Sequence, residues 1–131
     1  MSFFDTIRGV FSPSRREMQE RRRKSREQLD SLLARGLVVK VLMWPAEFGG
    51  TDDPRNVTYL PPALAERKRA FEAEVQRRVE AGEDLDFKVT PEYDGDSFVP
   101  AKLNMEAGSG ATALKELIEV APHRTWEPAD A

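Results

Sequence analysis

Leu37-Val38-Val39-Lys40-Val41-Leu42-Met43 runs into Trp44-Pro45-Ala46-Glu47-Phe48-Gly49-Gly50-Thr51-Asp52-Asp53-Pro54-Arg55, and then into Asn56-Val57-Thr58-Tyr59-Leu60-Pro61-Pro62. The first run is apolar apart from one lysine, so residues 37–44 read as a central strand. The last is rich in β-branched and aromatic residues, which makes 56–60 a second, short strand. Pro61-Pro62 ends it and opens a helix, because proline is tolerated in a first turn. The connection between the strands carries Trp44, Phe48 and a Gly pair, a costly set for a loop unless the aromatics pack or bind.

Downstream, Leu64, Phe71, Val75 and Val79 recur at steps of seven, four and four, which predicts an amphipathic helix stopped by Gly82. Asp86 to Thr90 begins a strand that continues past Pro91 toward Tyr93, and the proline marks an edge or a bulge. Asp94-Gly95-Asp96-Ser97 is a turn. Val99, Ala101, Leu103, Met105 and Ala107 then alternate with polar or proline positions, as a half-buried strand does. Residues 111–121 fit a helix or a strand; the edge left open by the preceding strand favours a strand. The expected fold class is α+β, an antiparallel sheet of four or five strands packed on one amphipathic helix.

Upstream, Phe3, Phe4, Ile7, Val10 and Phe11 share a helical face. Ser12-Pro13-Ser14 breaks it, and Ser12 or Ser14 can cap a long helix over 14–35 that Gly36 ends. Arg15, Arg16, Arg21, Arg22, Arg23, Lys24 and Arg26 make it basic, with Glu17, Glu20 and Glu27 at pairing distance along the helix. Leu29, Leu32 and Leu33 are its docking residues. The chain therefore divides into a basic helical arm (1–36), an α+β body (37–121) and a C-terminal tail (122–131) that Trp126 could pin to the body.

The length of 131 residues suits one domain. With no cysteine there is neither a disulfide framework nor thiolate chemistry, as expected of a cytoplasmic protein. No run reaches the ~18 apolar residues of a spanning helix, and Asp5 and Arg8 break any signal-peptide core. The net charge of −3 hides an asymmetry: residues 1–36 hold nine Lys/Arg against five Asp/Glu, and the rest eleven against eighteen. Glu83, Asp84, Asp86, Glu92, Asp94 and Asp96 stand against Lys88 alone in 83–96. That concentration speaks against the body gripping nucleic acid and for a cationic partner.

Catalytic and metal chemistry find little to work with. His123 is the single histidine, so a zinc site would need carboxylates almost alone. Glu92, Asp94 and Asp96 around Gly95 lack the terminal Glu of a calcium loop. There is no Gly-x-Ser-x-Gly, no phosphate-cradling glycine loop and no placeable Ser/His/Asp set. The chain reads as non-enzymatic, with no cofactor and no metal. Trp44, Phe48 and Tyr59 offer aromatic anchors of the kind that dominate interfaces. Glu47, Asp52, Asp53, Asp84, Asp86, Glu92, Asp94 and Asp96 could steer a basic protein toward them. Two alternatives use the arm. Phe3, Phe4, Ile7 and Phe11 followed by the basic run have the two-signal logic of a peripheral membrane anchor or scaffold acting through residues 1–26. The same apolar face could instead fold back onto the sheet or onto another copy of the chain. The basic helix alone could grip the phosphates of a nucleic acid, although no aromatic sits among its basic residues to stack on bases.

The run from Trp44 to Pro62, the amphipathic helix after it, Thr90-Pro91-Glu92-Tyr93-Asp94-Gly95-Asp96-Ser97-Phe98-Val99-Pro100 and the strand hairpin resemble a group of small uncharacterised bacterial proteins. Their size, acidity and lack of a catalytic set are similar to those of immunity partners of polymorphic toxins. The resemblance covers about residues 37–121 and leaves out the basic arm. It implies an immunity-type inhibitor whose acidic surface occludes a basic cognate toxin, and it assigns a role to no individual residue.

Overall fold

Ser14 caps the first helix, α1 (Arg15–Ala34). Its Oγ accepts the Glu17 amide at 3.1 Å, and the Glu17 carboxylate accepts the Ser14 amide at 3.2 Å. Two otherwise unpaired N–H groups are thus satisfied reciprocally. At the far end Gly36 takes a φ of +70° and lets the Leu37 amide reach the Leu32 carbonyl at 2.9 Å, closing the helix in a left-handed turn that only glycine adopts without strain. The structure is a computed structural model that describes residues 14–108 and 110–122. The apolar face of Phe3, Phe4, Ile7 and Phe11 and the tail from His123 onward lie outside the described residues.

The first half of α1 is exposed, with Arg23 paired to both Glu20 and Glu27. Leu29 and Leu32 are buried in the main core, whereas Leu33 stays on the surface. Then follow β1 (Val39–Leu42), β2 (Val57–Leu60), α2 (Pro62–Glu80), β3 (Phe87–Tyr93), β4 (Pro100–Ala107) and β5 (Leu114–Glu119). All pairing is antiparallel: Val39 faces Leu60 and Leu42 faces Val57 in one sheet, and β4 lies between β3 and β5 in the other. Pro91 sits on the edge strand β3, one residue before a register irregularity at Glu92/Tyr93, where its missing N–H does least harm.

The class is α+β as expected, but the strands divide into sheets of two and three instead of forming one of four or five. β1, expected at the centre of a sheet, pairs with β2 alone. Its apolar character comes from packing: α2 lies against it, and Val39 and Val41 touch the core cluster. Side chains, not a backbone ladder, connect the two sheets. Buried Thr58 of β2 shares a 2.8 Å hydrogen bond with the Tyr93 hydroxyl of β3. α2 reaches both sheets, packing on β1 and on β5, where Arg67 pairs with Glu116 and donates to the Leu117 carbonyl at 3.3 Å.

The main core gathers Leu29 and Leu32 of α1, Leu60 of β2, Ala65 of α2, Leu103 and Met105 of β4 and Ile118 of β5. A second, smaller cluster of Val75, Phe87 and Ala107 lies beneath the β1–β2 connection, with Phe48, Phe71 and Leu85 against it.

Candidate functional site

Lys68 organises the centre of the molecule. It sits in the gap of the apolar stripe on α2, midway through the seven-residue step from Leu64 to Phe71, and is 1% exposed. Its ammonium has three protons and three acceptors: the carbonyls of Leu42 and Met43, each at 2.9 Å, and the carboxylate of Glu72 one turn on. Burial holds the Lys68 pKa below the ordinary lysine value despite that carboxylate. The same burial raises Glu72 above the usual carboxylate range, against the attraction of Lys68. With every proton engaged, the ammonium works as a clamp on the end of β1 and has none left to offer a substrate.

The clamp fixes the residues immediately before Trp44. Asn56 holds the other side of the loop. Its Oδ1 accepts the Trp44 amide at 2.8 Å, and its Nδ2 donates to the Trp44 and Thr51 carbonyls at 2.9 Å each. Asn56 thus closes the loop. At Gly50, an added Cβ would lie 1.7 Å from the Trp44 carbonyl oxygen, so the chain passes there only without a side chain. Asp53 caps the short turn Pro54–Asn56 and pairs with Arg55 at 3.1 Å, and Asp52 pairs with Lys40 at 2.5 Å.

So anchored, the loop sets two aromatic edges on the face of the smaller cluster. The Trp44 and Phe87 rings are 5.6 Å apart at 77°, and Phe48 and Phe87 5.1 Å apart at 75°, the edge-to-face geometry that aromatic quadrupoles favour. Beside them the C-terminal half of α2 and the segment leading into β3 complete a groove of about 340 Å³. Its apolar surface includes Trp44, 42% exposed, and Val79, 47% exposed, with Phe48 and Leu85 deeper. Glu47, Glu80 and Asp86 line the same groove, and among the described residues none of these three carboxylates forms an ion pair.

Trp44, Glu47, Phe48 and Asp86 are therefore brought together. The other sequence candidates fall elsewhere. Asp52 and Asp53 are spent on Lys40 and Arg55. Asp84 is exposed before β3 without lining the groove, and Glu92 faces Lys102 across β3 and β4. Asp94 and Asp96 belong to the β3–β4 turn, and Tyr59 and Asp96 line a separate cleft there. The seven residues of β3 separate that turn from the groove, about 20 Å at ~3.3 Å per residue. Arg15, Arg16, Arg21, Arg22, Arg23, Lys24 and Arg26 stand on the exposed part of α1.

Sequence reading missed Val79, Glu80 and Leu85 as groove residues and Lys68 as buried. Val79 ends an apolar stripe longer than the sheets can cover, and a seven-residue step with a lysine midway is what a buried lysine leaves in such a stripe. Among the described residues no cluster of metal-ligating side chains occurs, and no helix is long and apolar enough to cross a membrane. No protein-family model, curated protein or solved structure gives a significant match to the chain.

Proposed function

We propose that the chain is a non-enzymatic protein-binding module that takes a cationic, apolar-tipped segment of a partner protein into the Trp44 groove. The observation that carries this reading is the combination of a braced, exposed tryptophan with three carboxylates that form no ion pair among the described residues, Glu47 alone lying within longer-range attraction of the Lys68 ammonium. Aromatic anchors on a fixed backbone lose little conformational entropy on binding. Unpaired acids around them attract a basic partner and set its orientation. In its most concrete form the module is a cytoplasmic, immunity-type inhibitor whose partner is a basic toxin domain, blocked by occlusion.

The test is purification of the tagged wild-type protein and of Trp44→Ala, side by side at native expression. The reading expects one stoichiometric basic protein with the wild type, strongly depleted with the variant, and harmful to cells when expressed alone if the inhibitor form is right. A partner retained equally by Trp44→Ala, or an acidic one, contradicts the groove as the binding site.

A further inference from the structure

A second cleft lies at the opposite end of β3, where α1 passes the β3–β4 turn. Its volume is about 400 Å³, and Arg22, Tyr59, Tyr93, Asp96 and Phe98 are among its lining residues. Tyr93 is 42% exposed and Phe98 39% exposed. The Tyr93 hydroxyl is tied to Thr58 at 2.8 Å, so its ring is held at both ends. The Arg26 guanidinium already stands over the Phe98 ring, 5.7 Å from its centroid, a cation–π arrangement. Arg15, Arg22 and Arg26 follow one another at steps of seven and four on α1, which places them along one flank of the helix. None of the three takes part in an ion pair among the described residues. The acids Glu20 and Glu27 are occupied with Arg23 on another face.

The basic run by itself has no aromatic partner in sequence; folding supplies three. We propose that this cleft binds single-stranded nucleic acid, with a base stacked among Tyr93, Phe98 and Tyr59 and the backbone phosphates tracking Arg26, Arg22 and Arg15. A π-face accepts any base, and a flank of arginines follows a flexible backbone, which together are the recognised means of binding single strands without sequence readout. The acids of the β3–β4 turn, Asp94 and Asp96, oppose a polyanion on the body side, so the attraction comes from the arginines of α1. Asp96 is the one carboxylate lining the cleft; it directs the phosphates to the α1 side.

The experiment is fluorescence anisotropy of labelled twelve-nucleotide oligothymidylate and oligouridylate with the full chain, from low to physiological salt. Three arginine contacts predict a log–log salt slope of about −2, at ~0.7 per phosphate neutralised. Arg22→Gln should weaken binding and make the slope shallower. Phe98→Leu keeps apolar bulk in the cleft and removes the π-face, and should weaken binding roughly fivefold or more. Asp96→Asn should tighten it, and Trp44→Ala, in the other groove, should leave it unchanged. No anisotropy change at the lowest salt would overturn the proposal. So would binding that is indifferent to both Phe98→Leu and Arg22→Gln while circular dichroism shows both variants folded.

Discussion

Lys68 is the residue on which most of the rest depends, because one ammonium links α2 to the carbonyls at the end of β1. Replacing it by methionine keeps the length of the side chain but leaves the Leu42 and Met43 carbonyls and a buried carboxylate unanswered. The expected loss is about 3–5 kcal/mol, the usual consequence of removing one partner of a buried pair, read by urea denaturation; a loss within experimental error would show that the clamp is dispensable. Glu72 makes the pair pH-sensitive. Its carboxyl is raised above the ordinary value in the folded chain by burial. The stability this contributes is full below the ordinary carboxylate pKa and is lost as pH rises through the folded one. Glu72→Gln abolishes that slope, so the thermal midpoint of the wild type should fall relative to the variant as pH rises from about 4. A midpoint difference independent of pH would contradict the shift. None of this is visible in composition, where lysine at 68 counts as one more charge on a helix; it shows only as the missing member of an apolar stripe.

At the scale of elements, the β1–β2 connection behaves as a braced platform and not as a free loop. Lys68 fixes its entry, Asn56 at its exit holds both the entry at Trp44 and the middle at Thr51, and Gly50 lets the backbone fold over the Trp44 carbonyl. Gly50→Ala puts a methyl group into that carbonyl, so the platform must open. Destabilisation of about 3 kcal/mol or more is expected, at the upper end of single substitutions, together with displaced Trp44 and Phe48 resonances in NMR spectra. A fully stable variant with unmoved resonances would mean that the loop is softer than its hydrogen bonds indicate. The strands on either side were legible from their β-branched and aromatic residues, and β4 from its strict alternation. The division into two sheets was not, because a side-chain bridge such as Thr58–Tyr93 leaves no periodic trace. The amphipathic period did identify α2, but Val79, its last stripe member, lies in the groove and is left about half exposed.

Over the whole molecule, the two proposed sites separate along β3: an acid-rimmed aromatic groove at one end, an arginine-flanked aromatic cleft at the other. The sequence grouped the acids of 83–96 into one surface because they are neighbours in the chain. An extended strand carries neighbours apart, so Asp86 and Asp96 arrive at different sites. Trp44, Glu47 and Phe48 were legible as a site because they share one short loop. Their partners Val79 and Glu80 come from a helix that only the fold brings alongside. Steering by Asp94 and Asp96 toward the groove is correspondingly weak, since about 20 Å exceeds the screening length of ~8 Å at physiological salt. The most direct measurement is the association rate of the co-purified basic partner, as a function of ionic strength, for the wild type and for the triple reversal Glu47→Lys, Glu80→Lys, Asp86→Lys. The groove account predicts an on-rate at least about tenfold lower at low salt and a flattened salt dependence for the triple variant, with Asp94→Lys/Asp96→Lys close to wild type. An unchanged on-rate in the triple variant, or a larger loss from the Asp94/Asp96 pair, would contradict it.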